Sequence, residues 1–405
     1  MKKTFLLSFL LLLALTASAD NRIYSERFKT LTSIVNGDWK NRPVMTLGTA
    51  DELRISFDEL SHNYHRLTYH LDHCEANWKV SEELFESDWL EGFNDNQIED
   101  YQNSINTTVL YTHYTLTIPN ERCRLKMGGN YRLTVFDDDA DGEKVLEVEF
   151  YVLEPLMDIG LSVSANTDVD HNDRHQQLSM KVNYNSVRVS NREEELRTVV
   201  MQNWREETAR NNVTPTFISS KGLAWEHNRS LIFLAGNEYH KFEVLDVSHP
   251  TMGIDRIRWD GEHYQVYPFP AMVRKNYLTD RDANGAFLIR NSDNYQSDIT
   301  CDYVWVNYQL LAPYYGDIYV TGQWTTDANQ GIYLMNYDEE RQQYHTAFLQ
   351  KQGYYNYTFV TPQGDTAPSE GNFFQTENSY QALVYYKGTG ERTWRLVGFR
   401  GIRTP

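Results

Sequence analysis

Residues 146–152 read LEVEFYV, with Leu146, Val148, Phe150 and Val152 on one side of a period of two and Glu147, Glu149 and Tyr151 on the other. Successive side chains of a strand point to opposite faces, so this pattern is a strand with one buried side. The same alternation marks Leu53, Ile55 and Phe57. Further strands are expected at Arg66 to His73, Tyr111 to Ile118, Tyr131 to Phe136, Tyr303 to Leu310, Ile318 to Thr321, Tyr354 to Val360, Gln381 to Tyr386 and Trp394 to Arg400. The 28 tyrosines suit a pleated, half-buried surface. Helical patterns are few. Ser81 to Glu86 has room for a turn or two, and Glu193 to Arg210 is charged like a helix, but Thr198, Val199 and Val200 are β-branched and favour a strand. Regularly spaced strands separated by turn residues argue for an all-β chain of consecutive antiparallel β-sandwiches.

The first nineteen residues differ from the rest. Lys2 and Lys3 precede an apolar run from Phe5 to Leu15 broken only by Ser8, and Ala17-Ser18-Ala19 offers the small residues a signal peptidase accepts. Residues 1–19 therefore read as a cleaved secretory signal, too short to span the ~30 Å of a bilayer core. No cysteine follows to carry a lipid, so a soluble, exported chain starting at Asp20 is expected. The 38 basic and 56 acidic residues give a formal charge of −18, which disfavours charge-driven binding to nucleic acid or anionic lipid. Length allows two or three domains. Glu154-Pro155 closes one sandwich-sized unit, 20–155; a β-rich middle domain is expected over 156–291. The polar stretch 291–300 looks like a linker into a third sandwich over 292–405.

Three cysteines, Cys74, Cys123 and Cys301, allow at most one disulfide, and without a CxxC pair they are read as buried thiols. Asp137, Asp139, Asp141 and Gly142 copy the first half of a calcium loop, but its twelfth position is Val148, and an acidic hairpin is the better reading. His171 and His175 have a metal-ligand spacing only on a helix, which their polar surroundings do not favour. His62, His65, His70 and His73 lie around one strand and point to alternate faces. There is no GxSxG, GxxxxGK[ST] or GxGxxG, so neither catalytic machinery nor a cofactor, metal or small-molecule substrate is expected. Among the acidic residues of 79–110 stand Trp89, Leu90, Phe93 and Tyr101, the residue types of interface anchors. Phe373 and Phe374 join them as candidate partner-binding residues.

Ordered runs along the chain carry a resemblance: RIYSERFKTL from Arg22, SFDEL from Ser56, HCEANW from His73, LEGFNDNQIEDY from Leu90 and YTHY from Tyr111. GNYRLTVF from Gly129, Glu154-Pro155, RHQ at Arg174, GNEYHKF from Gly236 and FLIRN from Phe287 follow. DYVWVNY from Asp302, QGYYNYTFV from Gln352, EGNFFQTENSY from Glu370 and VYYKGTGERTWRLVG from Val384 complete the set. Together they resemble the type IX secretion system plug proteins over nearly all of the mature chain. The resemblance implies a periplasmic, non-enzymatic seal held by protein contacts under the outer-membrane translocon barrel. From Tyr319 to Phe359 the order YVTGQW, hairpin, QGYYNYTFV is also similar to early-set immunoglobulin-like modules that bind glycogen or starch. It implies immunoglobulin-like sandwiches and, as the rival function, carbohydrate binding through Trp324, although Thr325-Thr326-Asp327 stands where a second Trp is usual.

Overall fold

The computed structural model describes residues 21–404; the expected signal peptide lies outside the described residues. The described residues are all-β: the three α-helical segments among them, Glu86–Trp89, Arg192–Glu195 and Ser297–Thr300, are single turns. The period-two stretches become strands. LEVEFYV sits inside Glu143–Leu153, which pairs antiparallel with Gly129–Asp137 in the register Tyr131↔Phe150, Leu133↔Val148 and Val135↔Leu146. The apolar partners thus meet on one face. Leu196–Gln202 is a strand, as its β-branched cluster requires, and the local helix is only the turn before it.

The described strands assemble around three large cores, and a smaller fourth cluster that includes Trp78, Tyr151, Trp204 and Leu396 lies where the first and second units join. In the first, a four-stranded sheet (Phe28–Val35, Leu53–Glu59, Thr112–Ile118, Asp100–Asn103) faces Leu67–Cys74, Gly129–Asp137 and Glu143–Leu153. Phe28, Phe57, Tyr114, Tyr131 and Phe150 fill the space between. Phe57 stacks on Tyr114 at 5.6 Å and Tyr131 on Phe150 at 5.5 Å. Fully burying such a ring is worth about 1.5–3 kcal/mol.

The second core lies between the sheet of Asp158–Ser164, His175–Asn183 and Gly222–Trp225 and a layer of Leu196–Gln202, Ser379–Tyr386 and Arg395–Arg403. That layer joins the first unit's sheet through one parallel pair, Leu153↔Leu396, making ten strands continuous. In the third unit His240–Val244, Phe287–Ile289, Tyr319–Thr321 and Gly353–Val360 pack on Ile254–Trp259, Tyr264–Pro268, Tyr303–Leu311, Gln343–Lys351 and Asn336–Asp338.

Chain order and packing therefore diverge. The strands of 240–289 pair into the third sandwich, and the last two strands return to the second, so neither 156–291 nor 292–405 coincides with a packing unit. The 291–300 stretch is no free linker. Ile299 is buried, its carbonyl accepts from the Ile105 N–H (2.8 Å), and Asp298 pairs with Arg54 of the first unit at 2.6 Å.

Candidate functional site

Trp89 and Leu90 are core residues, a correction to their reading as interface anchors. Glu86–Trp89 forms one helical turn, after which Leu90–Gly92 pairs with Cys123–Leu125. This folds both side chains onto the first sandwich, where Trp89 meets Tyr131 edge-on at 5.8 Å. Phe93, one residue past that pairing, is 74% exposed. Tyr101 lies on the edge strand Asp100–Asn103, 43% exposed, its ring 4.7 Å from that of Tyr64. Phe373 and Phe374 are half-buried elsewhere, at the seam of the second and third units. Their N–H groups donate to Gly236 O (2.9 Å) and Asp173 O (3.1 Å). Phe85, 73% exposed under the Arg392 guanidinium, is an exposed aromatic of the first unit that reading by residue type passed over. Its signal was its place at the N-cap of the turn that buries Trp89.

Behind this surface a buried ionic cluster joins the first and third units. Asp58, fully buried, receives Lys351 Nζ (2.6 Å) and the Tyr303 hydroxyl (2.7 Å) on Oδ2, with His113 Nδ1 at 2.6 Å from Oδ1. Lys351 also donates to Asp298 O and lies 4.0 Å over the Tyr111 ring. Burial would raise the Asp58 carboxyl, but the Lys351 charge and the His113 hydrogen bond hold it below the usual carboxylate range. Around this centre the Thr108 and Val109 N–H groups donate to Asp302, and the N-terminal strand exchanges hydrogen bonds with Thr326 and Ala328.

A second polar cluster lies where the second and third units meet. Arg274 pairs with buried Glu370, which also lies 3.1 Å from His240 Nε2. The Tyr277 hydroxyl donates to Glu238 (2.6 Å), and the Tyr239 and Asn284 N–H groups donate to Asp282. Burial dominates here: it pushes the Asp282 carboxyl up to about 7, raises Glu238, and holds His240 well below its ordinary value.

The remaining sequence candidates resolve as structure. Among the described residues the group that could converge on a metal is His65, Asp137 and Asp139, without Asp141. Arg27 already sits 2.9 Å from Asp137 Oδ2, and the other Asp137 oxygen accepts from the Asp139 N–H, so the stretch is an acidic hairpin turning through left-handed Asp141. His175 pairs with Asp170 at 2.7 Å, and His171 is exposed. The four clustered histidines diverge. His62 bonds Ser104, His70 is pushed up to about 9 by Asp72 and Asp95, and His73 is buried and held low. All three cysteines are free and buried, burial pushing each thiol up to about 12. Trp324 offers no sugar platform, since its ring is buried against Tyr308 (5.9 Å) and its indole N–H donates to Asn356 O (2.9 Å).

No helix of the described residues is long and apolar enough to cross a membrane. Residues 28–154 match the family model of the type 9 secretion system plug protein first domain. A crystal structure of a hypothetical protein from Parabacteroides merdae is similar at 33% identity with a TM-score of 0.90, over 96% of this chain and 100% of that one. No curated protein matches. The domain match lies over the first sandwich, and the likeness to the Parabacteroides merdae protein runs through all three units: residues 28–154 of this chain are a type 9 secretion system plug protein first domain.

Proposed function

We propose that this chain is a non-enzymatic periplasmic protein that closes the periplasmic opening of a type IX outer-membrane translocon barrel by protein–protein binding. The observation that carries the reading is the plug-domain match over residues 28–154, on a unit that the Asp58–Lys351 cluster ties to the rest of the molecule. A seal has to resist deformation. A sheet continuous across two units and a buried ionic joint to the third supply that stiffness. Phe93 and Tyr101, with Tyr64 beside Tyr101 and Phe85 also exposed on the first unit, form the first contact; Phe373 and Phe374 form a second. Exposed aromatics on a rigid frame are efficient anchors, and a stable interface buries about 1,200–2,000 Å² in total.

The test is affinity capture with the mature chain from detergent-solubilised outer membranes, with the partner identified by mass. Near-stoichiometric recovery of a very large barrel protein, reduced at least tenfold by the Phe93→Ala, Tyr101→Ala double variant, is expected. Recovery of no barrel at low salt contradicts the reading.

A further inference from the structure

The C-terminal strand Arg395–Arg403 has a partner on one side only for most of its length. On one side it pairs with Ser379–Tyr386; on the other, its backbone bonds among the described residues are those around Leu153↔Leu396 and the Leu156 and Met157 N–H groups that donate to Val397 O, and none is found from Gly398 onward. The phase of the first ladder is fixed at its end. The Thr404 N–H donates to Asn378 O (2.8 Å), and on the far side of the neighbouring strand the Asn203 N–H donates to Ser379 O (2.7 Å). In an antiparallel ladder alternate residues exchange both bonds with the partner, so Tyr380↔Ile402 and Ala382↔Arg400 are the bonded pairs. The N–H and C=O groups of Phe399, Gly401 and Arg403 therefore point away from that ladder.

They meet a cleft. Phe399, Gly401 and Arg403 line a cavity of about 540 Å³ whose opposite wall is the first unit's Val35–Val44 segment, with Trp204 also in its lining. Trp204 is 2% exposed, and its indole N–H has no hydrogen-bond partner, a costly state for a buried donor. It also occupies the second position of a two-residue hairpin turn with φ 59°, after Asn203 at φ 54°. That left-handed conformation costs a tryptophan about 1–2 kcal/mol. Packing of its ring on Phe399 (5.6 Å) and Tyr151 (5.8 Å) offsets the strain and holds it at the cleft.

The acids of the cleft are already satisfied by their own loops. Asp38 accepts from the Lys40 N–H and Asn41 Nδ2; Asp51 accepts from Asn36 Nδ2 and the Thr46 N–H. Two arginines line it as well, Arg42 and Arg403, in a chain whose overall charge is −18; Arg403 lies 3.8 Å from Glu377, both side chains being about a third exposed, a pairing worth little. Charges on an edge ordinarily prevent self-pairing. A second copy joined edge to edge about a two-fold axis would set arginines against arginines, so a strand of opposite charge is the partner this edge permits.

We propose that the cleft between Phe399–Arg403 and Val35–Val44 receives an extended, acidic segment of a partner protein, which adds as a strand to the open edge and gives Trp204 an acceptor. The dimensions fit: with a 3.3 Å rise, 4.8 Å strand spacing and ~10 Å sheet spacing a strand residue occupies about 160 Å³, so the cavity has room for about three. Main-chain bonds to Phe399, Gly401 and Arg403 give the affinity, and the arginines select the sign of the flanking charges.

The test uses blocked seven-residue peptides alternating valine with glutamate, or valine with lysine as the control, added to the full mature chain. Binding is read by calorimetry and by the Trp204 indole N–H resonance, assigned by its loss in Trp204→Phe. The glutamate peptide is expected to bind at least tenfold tighter than the lysine peptide and to move that resonance. Gly401→Pro, which removes an outward N–H, abolishes binding, and Arg403→Glu, which also gives up the 3.8 Å pairing with Glu377 and is checked for an unchanged fold by circular dichroism, reverses the charge preference. An unmoved indole resonance at millimolar peptide, equal binding of both peptides, or indifference to Arg403→Glu overturns the proposal. Concentration-dependent dimerisation that the glutamate peptide does not compete overturns it in favour of a second copy.

Discussion

The two seams of the third unit bury charge in opposite ways. At the seam with the first unit every strong charge has its counterpart: Lys351 and Tyr303 meet Asp58 from one side and His113 from the other, and the carboxyl stays low despite burial. At the seam with the second unit, burial outweighs pairing. Asp282 rises to about 7, His240 is kept neutral, and the Asn284 side chain, 5% exposed, has neither its amide nitrogen nor its oxygen partnered. A satisfied buried pair behaves as a fixed joint across neutral pH, whereas an unsatisfied one takes up and releases protons as the pH changes. The first seam is thus the charge-satisfied one, and the second is the one where burial goes uncompensated.

The largest effect that would break this contrast is at the first seam. Lys351→Ala leaves Asp58 as a buried, uncompensated charge and is expected to cost about 3–5 kcal/mol in chemical denaturation. Replacing both partners, Asp58→Leu with Lys351→Met, should cost less than the single change. A loss under about 1 kcal/mol for Lys351→Ala would mean the joint is not charge-satisfied in solution.

The second seam gives two slopes of opposite sign. Asp282 has a folded value near 7 against an ordinary 3.8, so the folded state binds the extra proton and its contribution falls as pH rises from about 4 to 7. His240 has a folded value well below 6.5, so the unfolded state binds the extra proton and its contribution falls as pH drops below 6.5. Relative to wild type, Asp282→Asn should gain stability with rising pH over that window, and His240→Gln should gain it with falling pH. Parallel curves for both variants would remove the distinction between the seams.

The smallest stability effect is expected on the exposed surface. Phe93→Ala with Tyr101→Ala should change stability by no more than about 0.5 kcal/mol per site while weakening barrel capture. A larger loss of stability would assign these rings to the frame rather than to a contact.

How much of this was legible in the sequence follows from the range of the interactions. Strands such as Glu143–Leu153 and Tyr303–Leu311 are local patterns, and alternation alone located them within a few residues. The joint that matters most links Asp58 to Lys351 across 293 positions, and neither residue carries a local mark of its partner. Trp89 and Phe93 are close in sequence and similar in type. One is buried and the other exposed because the chain turns once and pairs with Cys123–Leu125 between them. The 291 boundary misled for the same reason: a polar run looks like a linker, and only pairing shows that the strands before it belong to the sandwich after it. The order of motifs across the whole chain was the signal that survived, since it does not depend on knowing which segments touch.

The proposed sealing role is tested most directly by conductance. The purified type IX barrel is inserted in a planar bilayer, and the mature chain is added to its periplasmic side. Stoichiometric closure of the open channel, lost with the Phe93→Ala, Tyr101→Ala double variant, is the expected result. An unchanged conductance at saturating chain, with binding confirmed in the same preparation, would contradict it.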